Sequence, residues 1–222
     1  MNVRRFFQNN NLTIVIFAIF LFSIVGMSIA GWLTNNKTLI EHHQAELSYG
    51  SYLVNGEFIE GVFENWESEF LQMWALIMLT VYLRQKGSAD SKPMQGNAPQ
   101  DTSSGYSIIR ANSWRSKSKA VGHFFYGHSL GLAMLVLFII SFLLHAIGGL
   151  EAYNQEAQQH GSETVTLFSF ILSSEFWYQS LQNWQSEFLA IGTLLVLSIK
   201  LRERGSPESK PVGKKFDHKT GE

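Results

Sequence analysis

Asn65-Trp66-Glu67-Ser68-Glu69-Phe70-Leu71 returns as Asn183-Trp184-Gln185-Ser186-Glu187-Phe188-Leu189, an offset of 183 − 65 = 118 residues. Leu83-Arg84-Gln85-Lys86-Gly87-Ser88 returns at the same offset as Leu201-Arg202-Glu203-Arg204-Gly205-Ser206, and Ser91-Lys92-Pro93 as Ser209-Lys210-Pro211. Upstream, Phe6-Phe7 falls on Phe124-Phe125, Phe20 on Phe138, Ser23 on Ser141, Gly31 on Gly149, His42 on His160, and Glu57-Phe58 on Glu175-Phe176. An ungapped match of this length is the mark of an internal duplication.

Each copy holds two apolar runs: Leu12–Leu33 and Phe70–Leu83, then Leu130–Leu150 and Phe188–Leu201. A helix needs about 20 residues to cross about 30 Å of hydrocarbon. The first and third runs reach that length. The second and fourth fall short, so they must borrow from the flanking polar residues. Arg4 and Arg5 with Ser28-Ile29-Ala30 imitate a signal peptide, but the first run is long for one and has an internal counterpart. The expected architecture is an all-α membrane protein. It has four transmembrane helices as two parallel two-helix repeats, with amphipathic helices in the outer loops. Residues 1–93 form the first repeat, with spans at about 12–33 and 66–84. Residues 94–121 read as a flexible linker. Residues 122–204 form the second repeat, with spans at about 129–150 and 184–202, and residues 205–222 read as a tail.

Charge orients this arrangement. Arg84, Lys86, Lys92, Arg110, Arg115, Lys117 and Lys119 lie between the copies, and Arg202, Arg204, Lys210, Lys214, Lys215 and Lys219 follow the second. Lys37 is the sole Lys or Arg in the loops 34–65 and 151–183. The positive-inside rule then puts both termini and the linker in the cytoplasm. Gly87 and Gly205 read as left-handed C-caps. In the outer loops, Phe58, Ile59, Val62, Phe63 and Trp66 recur at helical spacing, with Phe176, Trp177, Leu181 and Trp184 in the second copy. Trp66 and Trp184 suit anchors at the headgroup level. Asn55 and Ser173 read as N-caps, with Glu57 and Glu175 in the first turn, where an acid meets the positive end of the helix dipole.

Glu69 and Glu187 precede the short apolar runs. From Phe70 to Leu83 the rise is only ~21 Å, which sets each carboxylate below the nominal outer edge of the membrane. Such an acid is expected to face protein or water. Together Asn65, Ser68 and Glu69, with Asn183, Ser186 and Glu187, form an expected polar cluster, read either as structural glue or as a cation, proton or small-ligand site. His145, in phase with Ser141 and Gly148, is a further ligand candidate beside this cluster, although a lone helix histidine more often packs; bis-histidine haem would need a homodimer that pairs it with itself. His42 and His160, with Glu57 and Glu175, are weak candidates for a metal site.

The chain has 222 residues, a net charge of −1 and no cysteine. The charge gives no footprint for nucleic acid. The missing cysteines exclude disulfide frameworks, thiolate metal sites and thiol–disulfide exchange. No nucleophile–base pair, phosphate-binding glycine loop or dense metal motif appears, which leans against an enzyme. No cofactor is expected.

The Asn-Trp-x-Ser-Glu-Phe-Leu motif, with Gly205-Ser206-Pro207-Glu208-Ser209-Lys210-Pro211 at the far helix end, resembles a family of small uncharacterised bacterial membrane proteins, known as a domain of unknown function. Gly87-Ser88-Ala89-Asp90-Ser91-Lys92-Pro93 departs from that pattern by lacking the first proline. The resemblance implies a bacterial inner-membrane location and brings no activity. Two function classes stay open. One is a non-enzymatic membrane scaffold or interaction protein, partnered by the lipid bilayer and by a second copy or another membrane protein. The other is a small transporter or channel with a cation or proton site at Glu69 and Glu187.

Overall fold

The computed structural model describes residues 3–96, 98–101, 122 and 124–213, and every regular element among them is helical. Helix α1 is Val3–Asn9, α2 Asn11–Glu41, α3 Tyr49–Tyr52 and α4 Gly56–Tyr82. A 3₁₀ turn at Pro99–Asp101 follows. Then come α5 at Ser129–Gln159, α6 at Leu167–Ile171 and α7 at Ser174–Lys200. Most of the linker, with Arg110, Arg115, Lys117 and Lys119, and the tail with Lys214, Lys215 and Lys219, lie outside the described residues.

The long helices keep the sequence offset at both ends. For α2 and α5, 129 − 11 = 118 and 159 − 41 = 118; for α4 and α7, 174 − 56 = 118 and 200 − 82 = 118. Among the described residues, α2 and α5 are the helices long and apolar enough, by length and composition, to cross a membrane. Their 31 residues rise about 46 Å, more than a bilayer core needs. Each therefore carries its helix some eight residues past the apolar run, through what the sequence suggests is loop. The amphipathic segments are continuous with the apolar runs that follow them. Phe58–Trp66 is the first part of α4, and Phe176–Trp184 of α7, with no break before the apolar part.

The chain falls into two compact units, residues 1–62 with 144–173 and residues 63–143 with 174–222. In the first unit, α2 and α5 end in the same way. Gln44 N–H donates to Leu39 O (2.8 Å) and His43 N–H to Ile40 O (3.0 Å); Ser162 N–H donates to Ala157 O (2.7 Å) and Gly161 N–H to Gln158 O (3.1 Å). This double bond pattern needs a left-handed residue just past the helix. His43 takes it at φ 57° and Gly161 at φ 69°.

An asparagine then clamps each turn. Asn36 Nδ2 donates to Leu47 O (3.0 Å) and its Oδ1 accepts from Leu47 N–H (2.8 Å). Asn154 holds Val165 identically, at 3.0 and 2.8 Å. A carboxamide can do this because it offers donor and acceptor side by side, as a peptide does. Ser48 and Thr166 N-cap the short helices. Those helices bury Tyr52 and Phe170, whose rings sit against Gly31 and Gly149 where no Cβ would fit unshifted. Burial, and secondarily the Glu57 carboxylate, pushes the Tyr52 hydroxyl above its ordinary value.

Asn55 caps α4 as the sequence suggests, its Oδ1 accepting from Glu57 N–H at 2.9 Å. The start of α4 meets α5 through glycine. A Cβ on Gly148 would stand 2.6 Å from Glu60 N, and one on Gly56 would stand 2.7 Å from Gly148 O. Small residues permit such backbone approach.

In the second unit, Gly87 and Gly205 are left-handed, at φ 89° and 88°, but they are not helix caps. Tyr82 and Lys200 end their helices earlier. The glycines occupy the third position of β-turns closed by Ser88 N–H to Gln85 O and Ser206 N–H to Glu203 O, both 3.3 Å. Ser91 and Ser209 fold the next residues back, accepting from Gln85 N–H (2.8 Å) and Glu203 N–H (2.9 Å). Lys92 caps the α4 carbonyl of Val81 (3.3 Å) and pairs with Asp101 (2.6 Å). That hydrogen bond from Lys92 holds the Asp101 carboxyl below the usual range. The shared Lys-Pro thus belongs to a hydrogen-bonded turn beyond the helix.

Candidate functional site

The polar residues of the Asn-Trp-x-Ser-Glu motif gather in the second unit, where α4 and α7 contribute facing stretches. Asn183 Nδ2 donates to Glu64 Oε1 at 2.7 Å, and Trp184 Nε1 donates to Glu67 Oε1 at 3.1 Å. One turn further, Gln72 Nε2 donates to Glu187 O at 3.3 Å. Glu67 is fully buried, and Ser68 and Gln72 nearly so. The indole that reaches Glu67 is held in place by rings on two sides. Phe138 lies 6.3 Å from Trp184 and Trp177 lies 6.1 Å away, both edge to face. Aromatic pairs at this spacing favour such geometry, and here it aims the N–H at the carboxylate.

The structure distributes the expected cluster unevenly. Glu69 is exposed and Glu187 half-buried. Ser68 and Ser186 each donate back into their own helices, to Asn65 O and Asn183 O, both at 2.8 Å. Asn183 and Trp184 enter the cross-helix network through their side chains and Glu187 through its carbonyl. The buried acid is Glu67, two residues before Glu69. Phase alone could have distinguished them. Glu64, Glu67 and Ser68 recur at helical spacing with Gln72 on one face, whereas Glu69 turns away. Glu67 escapes a search for shared residues because its counterpart is Gln185. Further along α4, Thr80 bonds Leu76 O (2.8 Å) and Ile77 O (3.0 Å) inside its own helix.

In the first unit, His145 is fully buried, which leaves it no exposed edge for pairing with a second copy. Glu57 takes a hydrogen bond from Asn35 Nδ2. His42 and His160, both exposed, lie with ring centroids 5.8 Å apart. Glu175 occupies the first turn of α7 in the second unit. Among the described residues no group of three or more His, Asp or Glu side chains is placed to share one metal ion. Asn36 and Asn154, absent from the sequence-derived candidates, carried one usable signal: both copies have asparagine there.

The sequence model of a family described as Domain of unknown function (DUF6766) matches residues 3–222. No curated protein and no solved structure matches the chain significantly.

Proposed function

The chain belongs to the DUF6766 family, a domain of unknown function, and we propose from its geometry that it is a non-enzymatic membrane scaffold or interaction protein. In this reading it is a multi-pass protein of the bacterial inner membrane with both termini cytoplasmic. Its four spans arise by duplication, with α4 and α7 joining α2 and α5 in the bilayer. The 118-residue recurrence of helix bounds, clamps and turns supports the duplication. Its partners are lipid and a second copy or another membrane protein.

The observation that carries the scaffold reading is that two donors of the second copy's motif are engaged by acids that belong to the first copy alone. Glu64 and Glu67 accept from Asn183 and Trp184, as structural glue does in a membrane, where an unpaired polar group is costly. A transport reading is favoured by one fact, the full burial of Glu67, since ionisable groups inside membranes mark ion paths. It would move the site from Glu69 to Glu67. Proteoliposomes holding the purified chain separate the two. Proton and monovalent-cation flux no greater than in protein-free vesicles is expected. Flux that Glu67→Gln abolishes while the fold survives would overturn the scaffold reading. Reporter fusions after Lys92 should report cytoplasm, and a fusion beside His160 the outside; the reverse would sink the topology.

A further inference from the structure

We propose that His42 and His160 form a two-imidazole site for a divalent first-row transition metal, which ties together the ends of α2 and α5 in the first unit. The rings lie edge to face at 89° with centroids 5.8 Å apart. Two imidazoles on one tetrahedral ion, each with a metal–nitrogen bond of about 2 Å, hold their centroids about 5 Å apart. The difference is within a small change of side-chain torsion. Neither ring is buried, so an ion needs no entry path.

Three further features favour a cation there. Each histidine immediately follows a 31-residue helix, whose C-terminal end carries partial negative charge. The helix ends are already joined beside the rings, because Gln159 Nε2 donates to Gln44 Oε1 at 3.2 Å. The left-handed turns at His43 and Gly161 and the clamps of Asn36 and Asn154 fix the backbone just past both histidines. The ligands are thus set on supported backbone, which lowers the ordering cost of binding. Imidazole suits zinc, copper and nickel rather than magnesium or calcium. With two protein ligands the ion keeps open positions, which water fills. The histidines come from equivalent places in the two halves, so an ion held there would staple one half to the other. The site stands apart from the scaffold reading, which makes no use of either histidine.

The test loads purified full-length protein in detergent with Cu²⁺ alone, counts coordinated imidazoles by pulsed electron paramagnetic resonance, and measures affinity by competition with a chelator. One ion bound by two imidazoles is expected. His42→Ala and His160→Ala should each leave one imidazole and weaken binding by about tenfold or more. The double variant should lose the site, and His128→Ala should match the parent. Circular dichroism reports whether each variant keeps its helices, and exposed side chains predict that it does. Zn²⁺ should raise the thermal midpoint of the parent and not of the double variant. Two-imidazole binding that persists in either single variant, or a parent ion with fewer than two imidazoles, would overturn the proposal.

Discussion

The two halves of the chain share the bounds of their long helices to the residue, yet they differ in charge along α4 and α7. The first half has Glu60, Glu64 and Glu67, where the second has Tyr178, Gln182 and Gln185. Glu64 and Glu67 receive their hydrogen bonds from Asn183 and Trp184, residues that both halves possess as Asn-Trp. The donor residue types recur in both halves, and the acceptors do not. What the halves share therefore sets the backbone, and what they do not share gives the site its direction.

The largest effect should come from removing the buried acceptor. Glu67→Ala leaves the Trp184 N–H without this partner and is expected to cost about 3 kcal/mol, read as a drop in thermal midpoint in detergent. Glu67→Gln makes the first half like the second and keeps an acceptor, so it should cost clearly less. Equal losses for the two variants would mean that charge, not acceptance, is what Glu67 supplies.

The asparagine clamps should show the opposite pattern, equality between halves. Asn36→Ala and Asn154→Ala each delete two side-chain hydrogen bonds to the backbone of one residue, and each should cost about 2 kcal/mol. A large difference between them would show that the halves are alike in geometry but not in energetics.

Tyr52 and Phe170 offer a subtler contrast, since the positions are equivalent and only one ionises. The folded-state value of Tyr52 is raised. Its contribution is fully present below the ordinary tyrosine value of about 10 and is lost as pH rises through the folded value. Tyr52→Phe should remove that alkaline loss, seen as a flatter midpoint-against-pH curve above about pH 10. An unchanged curve would assign the loss to another group.

The smallest effect belongs to Glu69. Glu69→Gln at an exposed position should fall within about 0.5 kcal/mol of the parent, while Glu67→Gln exceeds it. Reversal of that order would restore Glu69 to the centre of the site.

The sequence discloses the helices because periodicity and apolar length act locally, and repetition confirms each by its counterpart. Asn55 was legible as a cap for the same reason. The Asn36 clamp was not, because its partner lies 11 residues on and asparagine gives no sign of which backbone it will meet. Glu67 was hidden because its counterpart is Gln185. Comparing copies selects residues held in common, and a site built on a difference leaves no trace in that comparison. Residues 85–93 carry no helical or strand periodicity, yet Ser88, Ser91 and Lys92 supply the hydrogen bonds that fold them.

The clamps also leave a mark on solvent exchange. Leu47 and Val165 lie in the connections between helices, where amide protons ordinarily trade with deuterium quickly. Each of these two is covered by an asparagine carbonyl at 2.8 Å. In a peptide-resolved exchange map they would stand as two slow points in fast surroundings, one in each half of the chain. The clock of those two protons reads each clamp separately, without any substitution or label.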